Sequence, residues 1–306
     1  MKQIFICILS LLSFLNIPPV SAGNQEKTRK YAYEDTKRLV ALVQDAASLI
    51  EKKGRDAFKE FSIRGSKWLT DKHYLFVYDA GGTCVFHPVQ PDLMGQNLKH
   101  FKDMEGKAVI ALIVDVGKKP RPDASGWVFY LWEGPHHTYP VRKGSYIRKA
   151  LAPDGKIYLV GSGLYNMKIE EVFIEENVDK AAELIRRKGK EAAFRELRDH
   201  SCPLNVLDSY IEVIDAQGNV IVDPMYPHLK RKRNISLQRD YIGRYLFTEI
   251  KNALAHKDRS WIFYIKPNIK SGRPEKHLMY IRKLKMGNEI FYVAANFVPA
   301  APIWMK

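Results

Sequence analysis

The stretch Tyr74-Leu-Phe-Val-Tyr-Asp79-Ala-Gly-Gly82-Thr-Cys-Val-Phe-His87-Pro88 decides how the rest of the chain is read, because it returns as Tyr210-Ile-Glu-Val-Ile-Asp215-Ala-Gln-Gly218-Asn-Val-Ile-Val-Asp223-Pro224. Each is an apolar strand, an Asp-Ala-x-Gly turn and a second strand stopped by proline, the pattern of a β-hairpin. Two later segments return in the same order. Trp127-Val-Phe-Tyr130-Leu-Trp132 becomes Trp261-Ile-Phe-Tyr264-Ile-Lys266, and Ser145-Tyr146-Ile-Arg148-Lys149 becomes Met279-Tyr280-Ile-Arg282-Lys283. The offset is 136 residues at the hairpin and 134 at both later strands. Three ordered matches at nearly constant spacing mark an internal repeat of about 135 residues.

Working outward, a helical pattern precedes each hairpin. Across residues 34–53, Leu39, Leu42, Val43, Ala46, Leu49 and Ile50 form one apolar stripe that stops at Gly54. Across 170–188, Val172, Phe173, Val178, Ala181, Leu184 and Ile185 do the same, and Gly189 ends the run. Short helices are expected at 55–61 and 191–198. Val109, Ile110, Leu112, Ile113 and Val116 predict a helix after the first hairpin, and Ile242, Tyr245, Leu246 and Ile250 one after the second. With strands expected at 127–132, 145–150 and 158–164, each copy reads as a long N-terminal helix plus an antiparallel sheet with helices packed on it, an α+β fold. The expected division is a targeting segment over 1–22, a first domain over 23–168 and a second over 169–306.

The 306 residues are 46% apolar, 27% charged and 11% aromatic, which excludes a disordered tail, a collagen-like chain and a polytopic membrane protein. Residues 1–22 combine Lys2, an apolar run from Ile4 to Leu15, the break Asn16-Ile-Pro18-Pro19 and Val20-Ser21-Ala22. That layout is a secretory signal, with cleavage expected after Ala22 and a periplasmic or secreted destination. An uncleaved anchor is the alternative, although about 12 apolar residues fall short of the roughly 20 that span a bilayer. Lys and Arg number 49 against 34 Asp and Glu, a net charge of +15. Removing the signal leaves 48 against 34, so the charge belongs to the folded protein. It asks for an anionic partner: nucleic acid, an anionic membrane surface, or a small carboxylate or phosphate. Export argues against nucleic acid. Beyond the signal, Cys84 and Cys202 stand far apart with no CxxC pattern, and either a disulfide or two free thiols is compatible with that.

Several runs of the first copy form a set: Tyr78-Asp79-Ala-Gly-Gly82-Thr-Cys-Val-Phe-His87-Pro88, Gly95-Gln-Asn97-Leu98, Asp103-Met-Glu-Gly106, Gly126-Trp127-Val-Phe-Tyr130-Leu-Trp132, Ser145-Tyr146-Ile-Arg148 and Gly161-Ser-Gly163-Leu-Tyr165. Over residues 34–168 this set resembles the Cache sensor domains of bacteria, most of all the single-Cache, small-molecule-binding type found outside the membrane in chemoreceptors and sensor kinases, here in tandem. The resemblance implies a PAS-like fold whose sheet holds a ligand on its concave face, and ligands that are small organic acids or similar metabolites. The second copy, over about 170–299, departs from it: Asp223 replaces His87, Lys266 replaces Trp132, and Lys232-Arg-Asn234-Ile235 stands where Gly-x-Asn-Leu is expected. Its fold can survive these changes, while its pocket is put in doubt. Family members usually continue into a transmembrane helix and a signalling module. For this chain the expectation is an exported sensor that reports to a membrane-bound sensor kinase or chemoreceptor.

Tyr130 and Trp132 alternate onto one face of their strand, as Tyr146 and Arg148 do on theirs. If both faces look into the concave side, an aromatic wall and a guanidinium converge, and the guanidinium offers two parallel donors to a carboxylate. Otherwise the aromatics are core and Arg148 is a solvated strand charge. His87 points either into the pocket or outward from its turn. The ligand-binding candidates are therefore His87, Tyr130, Trp132, Tyr146 and Arg148, with Asp223, Tyr264, Lys266, Tyr280 and Arg282 as a second site. No catalytic residue is nominated, since no metalloprotease helix, phosphate loop or nucleophile elbow is present, and Gly161-Ser162-Gly163 lacks the elbow's spacing. His136-His137 has no third ligand at metal spacing, so neither metal nor cofactor is expected. The run Lys230-Arg-Lys-Arg233 is either a solvated loop or a contact for anionic lipid or an acidic partner. The rival to the sensor is thus a ligand-free interaction module that uses its basic surface.

Overall fold

Helix α1 (Glu34–Lys53) forms along the predicted stripe, with Leu39, Val43, Ala46, Ala47 and Ile50 buried. Glu34 and Asp35 occupy its first turn and Lys52 and Lys53 its last, as the helix dipole favours. Gly54 ends it at φ 56°, its N–H donating to the Ile50 carbonyl, in a conformation that costs little only without a Cβ. These elements belong to a computed structural model that describes residues 31–134, 138–225, 233–268 and 271–300. The expected secretory signal, the His136-His137 pair and Lys230 to Lys232 lie outside the described residues.

After helix α2 (Ala57–Phe61) comes the hairpin of β1 (Phe76–Asp79) and β2 (Cys84–Phe86). The Asp79 carboxylate accepts the N–H groups of Gly81 and Thr83 at 2.9 and 2.8 Å. The run from Gly95 to Leu98 clasps that turn, the Asn97 amide donating to the Gly81 carbonyl (3.1 Å) and the Leu98 N–H to that of Gly82 (3.0 Å). Helix α3 (Val109–Gly117), β3 (Ser125–Trp132), β4 (Val141–Leu151) and β5 (Ile157–Tyr165) complete the first half. Strand β4 starts four residues before its expected beginning, because Lys143 and Gly144 pair with Tyr130 and Phe129 on one side and with Tyr165 and Leu164 on the other.

The second half holds α4 (Glu171–Lys188), α5 (Lys190–Arg198), β6 (Glu212–Asp215), β7 (Val220–Val222), α6 (Leu246–Ala253), β8 (Arg259–Pro267), β9 (Pro274–Met286) and β10 (Glu289–Phe297). The two sheets have the same order, β2-β1-β5-β4-β3 and β7-β6-β10-β9-β8, and pair antiparallel throughout. Despite its altered motif the second clasp persists, with the Asn234 amide donating to the Gln217 carbonyl at 3.2 Å. One expectation fails: Ile242 and Tyr245 are exposed and precede the helix. The Asp240 carboxylate gathers the N–H groups of Ile242 and Arg244 at 3.1 and 2.9 Å, closing a turn before the helix begins. Asp103 builds the same turn with Glu105 and Lys107 (3.0 and 2.8 Å).

Alternation along the strands places Val77, Tyr146, Tyr158 and Val160 against α1, and Phe76, Tyr78, Tyr130, Ile147 and Leu159 against α3. The second sheet lies likewise between α4 and α6. The halves share contacts, so the described residues form one compact unit. Phe173 of α4 lies 5.0 and 5.1 Å from the rings of Trp127 and Phe129. The buried Glu170 carboxylate accepts the N–H groups of Ala32 and Tyr33 at 2.6 and 3.0 Å. Cys84 and Cys202 are buried free thiols in separate clusters. Among the described residues no helix is long and apolar enough to cross a membrane.

Candidate functional site

Residues directly opposite each other in a sheet share a face. Tyr130 lies opposite Lys143, and Trp127 opposite Tyr146. Tyr130, Trp132 and Lys143 therefore look toward α3, where Phe76, Tyr78 and His87 join them around one cavity. Tyr146 and Arg148, three and five positions beyond Lys143, look toward α1. Tyr146 packs on Trp127 at 5.4 Å. Arg148 pairs with Glu51 (3.3 Å) and donates to the Gln44 carbonyl (3.3 Å), both on α1. Of the five residues expected to converge, His87, Tyr130 and Trp132 meet, while Tyr146 and Arg148 occupy the opposite face. The pattern within one strand tells which of its residues agree; only the register tells whether two strands agree.

The cation at the cavity is Lys143, a residue that sequence reasoning misses. It is 1% exposed, and its Nζ donates to the Tyr74 hydroxyl at 2.8 Å and to that of Tyr165 at 3.3 Å. The rings of Tyr74 and Tyr165 lie 4.4 and 4.6 Å from Nζ. Among the described residues no carboxylate pairs with it, and burial pushes its pKa down to about 7. The one sequence signal for it is Gly161-Ser-Gly163 on the facing strand. A Cβ at Gly163 would lie 2.2 Å from Ser145 Oγ and 2.6 Å from Lys143 Cε, so this glycine makes room for the lysine stem.

Around Lys143 the other groups are neutral. His87, 2% exposed, accepts the Gln90 N–H at Nδ1 (2.9 Å), which leaves the proton on Nε2. Burial, and secondarily Lys143, hold its pKa down at about 3, so the ring is an uncharged donor. Trp132 Nε1 donates to Gln90 Oε1 at 3.0 Å, and the hydroxyls of Tyr130 and Ser145 lie 2.8 Å apart. Burial raises the pKa of Tyr74, Tyr78 and Tyr130, keeping all three protonated. Strand β3 is held at the cavity by Asp103, which accepts the Leu131 N–H at 2.9 Å. Val109, Ile110 and Ile113 of α3 close a space of about 10 Å³, close to what one water needs. An ammonium, phenol hydroxyls and an imidazole N–H enclosed by aromatic walls suit a small anion.

The second sheet follows the same parity. Tyr264 faces His277 and Lys266 faces Glu275, whereas Tyr280 lies opposite Trp261 and Arg282 opposite Arg259. Tyr264 and Lys266 thus share the α6 side. Tyr280 packs on Trp261 at 5.2 Å, and Arg282 pairs with Asp179 of α4 at 3.0 Å. Asp223 lies 3.4 Å from Arg233. A larger cavity of about 440 Å³ is lined by Tyr210, Glu212, Arg233, Lys266, Glu275 and His277, among others. Among the described residues no His, Cys, Asp and Glu cluster could hold a metal.

A family model described as Cache domain matches residues 51–290. The methyl-accepting chemotaxis protein McpP of Pseudomonas putida is 31% identical over 121 residues, covering 39% of this chain and 21% of that protein, so the chain spans about a fifth of its relative's length. Two solved structures are similar over about half of the chain. One is a periplasmic sensor domain of a chemotaxis protein (29% identity, 49% of this chain, 100% of the other, TM-score 0.34). The other is a Cache chemosensory domain described for carboxylic acid recognition (26% identity, 47% of this chain, 98% of the other, TM-score 0.36). With the family model spanning well over half of its length, the chain belongs to the Cache domain family.

Proposed function

We propose that the cavity of the first sheet binds a small carboxylate of two or three carbons, or a similar anionic metabolite, and that its occupancy is passed to a membrane-bound chemoreceptor or sensor kinase. Lys143 carries this reading. An ammonium sealed from water without a counter-ion is penalised by several kcal/mol, and a ligand carboxylate supplies the missing charge. Tyr74 and Tyr165 orient Nζ, neutral His87 adds a donor, and Phe76, Tyr130 and Trp132 cover a short carbon chain. With about 10 Å³ between the walls, even a two-carbon acid requires α3 or the segment around Gln90 to move outward, and a longer acid requires more. A ligand that favours the widened arrangement shifts its population, which a partner can read. The likeness to a methyl-accepting chemotaxis protein supports a chemoreceptor as that partner, and the expected signal over 1–22 supports a site outside the cytoplasm.

Calorimetry of the purified protein against straight-chain monocarboxylates of two to six carbons tests this. Two- and three-carbon acids should bind, and Lys143→Met should weaken them by about 100-fold or more, since removing one partner of a buried charge pair costs roughly 3–5 kcal/mol. The reading fails if no acid binds or if Lys143→Met leaves affinity intact. A second reading rests on the charge distribution: residues 230–285 hold 16 Lys and Arg against four Asp and Glu, a net +12 of the chain's +15. It makes this region a contact for an anionic membrane surface or an acidic partner. Cosedimentation with anionic but not neutral vesicles, abolished by charge reversal of 230–233, is the corresponding test.

A further inference from the structure

Each half carries the same outer surface, made of the turn before its crossing helix and the edge strand beside that turn. In the first half this surface lies against the second. Lys107 Nζ donates to the Phe129 carbonyl at 2.8 Å and to the Asn205 carbonyl at 3.4 Å. Glu105 pairs with Arg142 at 2.8 Å, and Arg142 donates to the Tyr210 hydroxyl at 2.7 Å. Phe129, 7% exposed, packs on Phe173 of α4. The turn after Asp240 is built in the same way, its carboxylate accepting the Ile265 N–H (3.4 Å) as Asp103 accepts that of Leu131. By position Ile242 stands for Glu105, Arg244 for Lys107 and Phe263 for Phe129. Here, however, Ile242 is 57% exposed and Phe263 42%. Among the described residues nothing covers this second surface as the second half covers the first.

The open surface is apolar at its tip and basic around it. Residues 238–246 form a small hairpin, the Leu246 N–H donating to the Gln238 carbonyl at 3.0 Å and the Asp240 N–H to that of Arg244 at 2.9 Å. Tyr241 and Ile242, each 57% exposed, occupy its tip. The Asp240 carboxylate is buried against Arg244 at 2.8 Å, so it presents no negative charge outward. Arg239 lies 4.2 Å over the Tyr245 ring, and Arg244 and Lys276 lie 4.4 and 4.5 Å from that of Phe263. Among the described residues no carboxylate pairs with Arg239 or Lys276. We infer that this hairpin inserts into the surface of an anionic lipid bilayer, with Tyr241 and Ile242 entering the headgroup–acyl boundary and Arg239 and Lys276 on lipid phosphates. The inference rests on the charge-based reading of residues 230–285 and narrows it to lipid. Aromatic and basic side chains together suit the membrane–water interface, and each cation near an anionic surface adds about fivefold in affinity. A second copy of the chain would bring the same excess of positive charge to the contact. An acidic partner's charge answers the cations alone, whereas a bilayer also takes up the apolar tip.

The test is cosedimentation of the full chain with phosphatidylcholine vesicles, with and without phosphatidylglycerol. The protein should bind only the anionic vesicles, and the double variant Tyr241→Ser, Ile242→Ser should weaken that binding by about tenfold or more. Both side chains are exposed, so melting curves of the variant should match those of the parent. Depth is read separately. A fluorophore sensitive to polarity, attached at Ile242→Cys, should shift to the blue on anionic vesicles, whereas the same label at Leu151→Cys, exposed on the first half, should not. Cys84 and Cys202 are buried and leave the labelling selective. If the double variant binds as tightly as the parent and the Ile242→Cys label does not shift, insertion is overturned while the charge-based reading stands. If no vesicle is bound, the inference is overturned and an acidic partner becomes the occupant of that reading. Sedimentation velocity showing a dimer that the double variant dissociates overturns it in favour of a second copy of the chain.

Discussion

Carboxylate binding to the first cavity should weaken about tenfold for each pH unit above about 7 and should take up a proton. Lys143, fully enclosed, has its pKa pushed from the ordinary 10.5 down to about 7. At pH 6 about nine in ten molecules carry the ammonium; at pH 8 about one in eleven does. A short-chain acid is ionised over this whole range, so only the lysine titrates. Once a carboxylate lies against Nζ, its pKa rises back toward the ordinary value, and the complex holds a proton that the free protein lacks. Linkage then sets the slope: affinity is nearly flat below pH 6.5 and about 50-fold weaker at pH 9 than at pH 7. Calorimetry in two buffers of different ionisation enthalpy reads the uptake directly, about 0.1 proton at pH 6, 0.5 at pH 7 and 0.9 at pH 8. Stability should run the other way. The unfolded lysine keeps its proton up to about 10.5 and the folded one only up to about 7, so between these values the unfolded state binds more protons and stability rises with pH. Affinity that is independent of pH, or a proton released on binding, would refute the assignment of Lys143 as the anion's counter-charge.

Three substitutions probe the rest of the site. Arg148→Ala should leave carboxylate affinity within about twofold and lower stability by about 1 kcal/mol or less, since its partners Glu51 and Gln44 lie on α1; a large loss of affinity measured by calorimetry would contradict the register. Gly163→Ala should lower stability by about 1–3 kcal/mol, because the new methyl overlaps Ser145 Oγ and Lys143 Cε, and should displace the ammonium enough to abolish binding; an unchanged melting temperature would count against this packing. Ile113→Ala, removing a buried wall of the cavity, should cost about 2–5 kcal/mol in denaturant unfolding while admitting acids of four or five carbons, and unaltered chain-length selectivity would show that α3 does not limit the ligand.

Local features could be read before any tertiary structure. Helix α1 has the bounds that its stripe and Gly54 mark out. The hairpin turns follow from Asp and Gly at set offsets, because the Asp79 and Asp215 carboxylates each bond N–H groups two and four residues on. The clash between Ile242, Tyr245 and the true start of α6 shows the limit of periodicity, since the Asp240 turn outcompeted helical bonding there. The site was half visible. That Tyr130 and Trp132 share a face follows from the two-residue period of any strand.

By itself, then, the amino-acid sequence determined the repeat, the element types and the pairing of residues within each strand, all of which depend on neighbours a few positions apart. The register between β3 and β4, the burial of Lys143 with no counter-ion among the described residues, and the exile of Tyr146 and Arg148 to the α1 face were decided only by tertiary structure. Their physical reason is the same: a strand's two faces are equivalent until hydrogen bonding to a partner strand sets the register, and a shift of one residue exchanges what is buried at the cavity for what is buried behind it.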